Sequence, residues 1–230
     1  MVSKKSVIFL IALAVFFISS PAWAAKGLRI GAGLGPGIPV LSGGVADEYQ
    51  PQSGLAFNAI DWGYGFTDAF SINSKFIGIV GSTDEGGVNW GFGELAFDAR
   101  YAFMTNKAFN PFVMLGFGIS SFSLEHEDDW QIFSNPVVGL DLGVGYEYYL
   151  GSKKRWSLGG QLYYHLASYK SGEKHYCYTT TEEDISDVLY PEGIEPGEID
   201  KITYIDEDFD VDANGGFFIM VFTLSYTWRR

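Results

Sequence analysis

From Gly215 to Trp228 the chain alternates between two unlike faces for fourteen residues, and this stretch limits the fold more than any other. The even positions read Phe218, Met220, Phe222, Leu224, Tyr226 and Trp228. The odd ones pass from Phe217, Ile219 and Val221 into Thr223, Ser225 and Thr227. Alternation at period two marks a strand, because successive Cβ atoms point to opposite sides of the pleat. The length exceeds that of an ordinary strand and suits one that crosses a bilayer at a tilt and closes a barrel.

Residues 1–24 read as a cleaved signal peptide. Lys4 and Lys5 give a basic start, and Val7 to Ile18 an apolar run too short for a membrane helix. Ala22-Trp23-Ala24 supplies a small-x-small cleavage site. Residues 25–230 then form one domain. The formal charge of −13 argues against a nucleic-acid partner, whose phosphates need a basic surface. A single cysteine, Cys177, makes no internal disulfide.

Seven earlier stretches repeat the alternation, over about 27–35, 54–64, 70–80, 90–103, 111–122, 138–148 and 156–166. In the second, Leu55 and Phe57 are out of phase with Ile60, Trp62 and Tyr64, which predicts a bulge near Asn58. After the first, Pro36, Gly37, Pro39, Gly43 and Gly44 predict a loop running to Gln52. Short and long connections alternate strictly. The expected fold is all-β: an eight-stranded antiparallel transmembrane β-barrel with short periplasmic turns and long extracellular loops. Both termini are then periplasmic.

A soluble lipocalin-like barrel, apolar inside, would alternate in the same way. Three features favour the membrane. The polar face is rich in Gly and Ser, as the crowded interior of a narrow barrel requires. Large aromatics on the apolar face gather near strand ends, where membrane interfaces hold Trp and Tyr: Trp62, Tyr64, Tyr101, Phe103, Tyr146, Tyr148, Trp156, Tyr226 and Trp228. The charges also partition. Short turns carry Lys107, Lys153, Lys154 and Arg155, whereas the long connection 167–214 has fourteen acidic residues against three lysines.

With these features go the turn Tyr64-Gly65-Phe66-Thr67-Asp68, the strand start Asn110-Pro111-Phe112-Val113, the segment Gly143-Val144-Gly145-Tyr146-Glu147-Tyr148 and the aromatic-ended last strand. Together they resemble the small eight-stranded outer-membrane β-barrels of the OmpA-transmembrane, OmpX and OmpW type. The resemblance spans the mature chain and implies the outer membrane of a Gram-negative-type bacterium, with its lipid and lipopolysaccharide as surroundings. It further implies that the last strand is read by the barrel-assembly machinery. Arg229 and Arg230 after Trp228 depart from the aromatic terminus usual in such barrels. Oligomeric state is left open.

The polar face carries Arg29, Asp61, Lys75, Glu94, Asp98, Arg100, Asp141 and Glu147. Facing a lumen, these charges must pair, either as a salt-bridged plug or as a selective passage. Eight strands leave room for side chains or one small ligand, which favours the plug. Asp210 to Gly215 copies the first half of an EF-hand loop, but position twelve is Val221 where a bidentate Glu is needed. Asp206, Asp208, Asp210 and Asp212 remain a candidate site for a loosely bound divalent cation, and no other cofactor is expected. His126, His175 and Cys177 lack the ligand count of a transition-metal site. His165 and Ser168 are a candidate hydrolase pair of the kind a lipid A-modifying barrel would use, without a recognisable third member.

In the long connection, Thr181 to Asp184 predicts a helix start, and 176–180 can pair with 201–205 to extend the last hairpin. The functional expectation is a structural or surface-interaction barrel acting through acidic outer loops, without catalysis. A narrow conduit for small or apolar solutes is the rival.

Overall fold

A computed structural model describes residues 27–104, 107–126, 130–151, 155–178 and 203–228, with the backbone alone at 176–178 and 203–207. The signal segment, the predicted helix start at Thr181 and Arg229 and Arg230 lie outside the described residues. The strands are β1 (Gly27–Ser42), β2 (Gly54–Gly65), β3 (Phe70–Ser82), β4 (Val88–Ala102), β5 (Phe109–His126), β6 (Trp130–Ser134), β7 (Val137–Leu150), β8 (Trp156–Tyr178) and β9 (Thr203–Trp228). One short helix, α1, occupies Gly44–Tyr49.

Every neighbouring pair is antiparallel, and β1 pairs with β9 from Leu28↔Trp228 to Ser42↔Asn214, so the sheet closes. The ring has eight positions, because β6 and β7 share one between β5 and β8. They part at Asn135-Pro136, where one extra residue enters and Pro136 has no N–H for the ladder. The five-residue β6 was not foreseen, being too short to show a period.

Alternation sorts the side chains as a membrane barrel requires. Leu34, Leu115, Val144, Phe222 and their kin point outward and are exposed, while Arg29, Lys75, Asp98 and Glu147 point inward. The lipocalin alternative would have placed the same apolar residues inside. On β8 the outward apolar run is Trp156 to Leu166, and polar Ser168 and Lys170 follow. Eleven residues at a barrel tilt suffice for the hydrocarbon layer.

The expected bulge in β2 is present: one extra residue, at Ala59, separates Asn58 from Ile60 against consecutive Ile77 and Phe76. It brings Leu55 and Phe57 into phase with Trp62 and Tyr64.

Two boundaries need correction. The predicted loop after residue 35 is strand as far as Ser42; pairing with β9 lapses at Gly35 and Pro36 and resumes in register at Gly37. β2 holds Gly35 to Gly37 and β9 holds Gly37 to Ser42 extended despite their weak strand propensity. Likewise, 167–214 is not all connection. β8 and β9 pair through Tyr176↔Ile205 to Tyr178↔Thr203, as the expected hairpin extension requires. A bulge at Tyr169/Ser171 puts Asp212 at φ 40°, and the Asp210 to Gly215 motif lies within a strand.

Candidate functional site in the barrel lumen

All eight lumen charges anticipated from alternation point inward, and cross-strand register stacks them in layers. Nearest the short turns, Arg29 of β1 meets Asp61 of β2 (Nη2 to Oδ2, 3.2 Å) and Glu147 of β7 (Nη1 to Oε1, 2.9 Å). Arg100 of β4 holds the same Glu147 through both nitrogens, at 2.9 and 2.8 Å. The Tyr149 hydroxyl donates to Glu147 Oε2 at 2.7 Å, and Arg100 lies over the Phe112 ring at 3.5 Å. Two guanidinium groups and two carboxylates thus form a quartet without net charge. Buried charges persist only when paired and hydrogen-bonded in this way.

One layer further in, Lys75 of β3 binds Asp98 of β4 (Nζ to Oδ2, 2.9 Å) and sits 3.8 Å from the centre of the Tyr163 ring. Next to this pair, His165 of β8 faces two carboxylates with a single nitrogen. Its Nδ1 lies 2.7 Å from Asp141 Oδ1 and 2.9 Å from Glu94 Oε1. Its Nε2 lies 2.8 Å from Ser120 Oγ, which is also 2.8 Å from the Tyr169 hydroxyl. Asp141 and His165 are direct register partners on β7 and β8.

Toward the long loops the interior becomes apolar. Phe92 and Phe217 approach to 4.1 Å between ring centres, Trp90 and Phe122 pack on Phe217 at 5.8 and 6.3 Å, and Trp90 Nε1 donates to the Gln52 carbonyl at 3.0 Å. Val45, Ala46 and Tyr49 of α1 join this buried cluster, with Tyr49 5.2 Å from Trp130 of β6.

Other candidates fall elsewhere. The outward aromatics Trp62, Tyr64, Tyr101, Tyr146, Tyr148, Trp156, Tyr226 and Trp228 all lie at the short-turn rim, where they form one girdle. Trp156 meets Tyr226, and Tyr226 meets Trp228, edge to face at 4.9 and 4.7 Å. Asp208, Asp210 and Asp212 line the outward face of β9 and are exposed; the Asp206 side chain is outside the described residues. His126 stacks beside Trp130, and His175 lies 3.6 Å from Glu173.

The hydrolase pair needs correction. His165 is buried in the lumen, whereas Ser168 is on the opposite face and donates to Asn214 Oδ1 at 2.5 Å. An offset of three places two strand residues on opposite faces. Ser120, His165 and Asp141 do connect in the order of a hydrolytic triad, but each is at most 2% exposed and Phe92 packs on His165 at 5.5 Å. Ser120, Tyr149, Tyr163 and Tyr169 were not singled out from the sequence. Their inward parity was readable, but parity does not say which side chains meet across a lumen.

The sequence matches the family model described as outer membrane protein beta-barrel domain over residues 10–187. No curated protein matches it significantly. The crystal structure of Neisserial surface protein A (NspA) is similar, with a TM-score of 0.54 and 12% identity, covering 89% of this chain and 99% of that one. So is that of the outer membrane protein OprG from Pseudomonas aeruginosa, with a TM-score of 0.53 and 14% identity, covering 90% of this chain and 99% of that one. At such identities the likeness is one of fold.

Proposed function

The chain belongs to the outer-membrane β-barrel domain family, and from that membership we infer a structural, surface-interaction barrel whose lumen is closed to solutes. The observation that carries this reading is the stacking of the Arg29–Glu147–Arg100 and Lys75–Asp98 ion pairs below a packed Trp90–Phe92–Phe217 layer. The cleft among Arg29, Arg100, Asn110 and Glu147 measures about 40 Å³, close to the space of a single water. A conduit for small or apolar solutes needs an open path, and both layers cross its route.

Interaction with the surroundings falls to the acidic extension of β8 and β9. Its outward Asp208, Asp210 and Asp212 would repel anionic lipopolysaccharide unless divalent cations bridge the two. Catalysis is not part of this reading.

The test is binding of the folded barrel to lipopolysaccharide vesicles with and without Mg²⁺. It should be compared with a shortened variant in which 176–205 is replaced by an Asn-Gly turn and Asp208, Asp210 and Asp212 by Asn. Retained heat-modifiable gel migration with lost Mg²⁺-dependent binding supports the proposal. Undiminished binding by the shortened variant contradicts it. Release of acyl chains from lipopolysaccharide by the wild type, abolished in His165→Gln, would establish an enzyme instead.

A further inference from the structure

Glu94, Asp141 and His165 bring two carboxylates and one imidazole together from β4, β7 and β8, with one ligand atom from each lying within 4.8 Å of the others. All three are at most 1% exposed. We propose that they bind one divalent transition-metal ion inside the lumen.

The first argument is unmet bonding. Glu94 Oε1 has only the His165 Nδ1 that it shares with Asp141, and neither Glu94 Oε2 nor Asp141 Oδ2 has a hydrogen-bond partner, although each is buried. A buried carboxylate oxygen without a partner loses its water shell for nothing in return. One Nδ1–H of His165 cannot serve both acids, and Ser120 and Tyr169 are on its other side.

The second is charge. Among the described residues, five strand-borne carboxylates face the lumen (Asp61, Glu94, Asp98, Asp141 and Glu147), against three permanent cations (Arg29, Lys75 and Arg100) and one imidazole, His165. The arginine quartet is balanced, and Lys75 is matched to Asp98. The two negative charges left over are Glu94 and Asp141. A dication with a neutral imidazole balances them.

The third is the outer shell. If His165 Nε2–H donates to Ser120 Oγ, which donates on to Tyr169, Nδ1 presents its lone pair between the two acids. That is how metal-bound histidines are usually oriented, with the second nitrogen anchored by a hydrogen bond. Gly118 and Gly139 keep the space open. A Cβ on Gly118 would collide with Glu94 Oε1, and one on Gly139 with His165 Cε1.

One nitrogen and two carboxylates suit Zn²⁺, Mn²⁺, Fe²⁺ or Co²⁺ better than Ca²⁺, which needs six to eight oxygens. Ligands about 2.1 Å from a tetrahedral metal stand about 3.4 Å apart. The 2.7 and 2.9 Å separations at Nδ1 therefore open slightly on binding.

The experiment refolds the barrel with Zn²⁺ alone, desalts it and measures bound metal, using heat-modifiable gel migration to report the fold. One Zn²⁺ per barrel is expected, and the exterior Asp208→Asn/Asp210→Asn/Asp212→Asn variant should keep it. Glu94→Gln/Asp141→Asn should lose at least tenfold in retained metal, and Ser120→Ala about 10- to 100-fold in affinity. Should the double variant not fold, refolding the wild type with Co²⁺ decides, because an N/O site of low coordination number gives visible d–d absorption. Absence of stoichiometric Zn²⁺ or of that absorption, or undiminished metal in the folded double variant, overturns the proposal. So does loss of the metal in the exterior variant.

Discussion

Arg29 reaches across the lumen to Glu147, joining β1 to β7, which are not neighbours in the sheet: Nη1 and Oε1 are 2.9 Å apart. Glu147 is at once the acceptor for Arg100 and Tyr149. Removing it leaves two buried guanidinium groups without their shared carboxylate. Glu147→Ala is expected to cost about 3–5 kcal/mol, the usual penalty for breaking a buried pair at one end. Urea unfolding in lipid vesicles measures it, and a loss below about 1 kcal/mol would mean that water reaches the arginines.

Phe222 stands near the middle of the outward run from Gly216 to Trp228 and is 58% exposed. Phe222→Arg should destabilise the barrel by about 2–4 kcal/mol in vesicles, as a cation at the bilayer midplane does. Asp210→Arg, twelve residues earlier on the same face, should change stability by less than about 0.5 kcal/mol. Equal effects at the two sites would place the membrane elsewhere along β9.

Phe217 is fully buried between Phe92, Trp90 and Phe122. Phe217→Ala should cost about 3–5 kcal/mol by the cavity it leaves. Phe217→Leu should cost less, and a ratio near one would show that the aromatic layer is loosely packed.

Much of this was readable in the sequence, for one reason. Period-two alternation states which residues share a face, and lipid on one side fixes that face for every strand. Hence Glu94, Asp98 and Arg100 of β4 could be assigned together, and the out-of-phase Leu55 and Phe57 announced a bulge. Even the change of character on β9, from Phe217 to Thr223, foreshadows the passage from aromatic layer to polar lumen.

What was hidden depends on distance through space. Arg100 could have met any of several carboxylates; the stagger of the ring hands it Glu147, two barrel positions away by the β5 side. His165 read as half of a hydrolase pair with Ser168, because its buried partners Asp141, Glu94 and Ser120 come from three other strands. Pro36 and Gly37 read as loop because their local preference is weak, and only the ladders to β2 and β9 hold them extended.

The proposal that the lumen is closed is tested most directly by planar-bilayer recording of the purified wild-type barrel. The layered ion pairs and the aromatic contact between Phe92 and Phe217 predict no steady conductance above the bare bilayer, at low or high salt. A stable, reproducible open channel in the wild type would contradict the account.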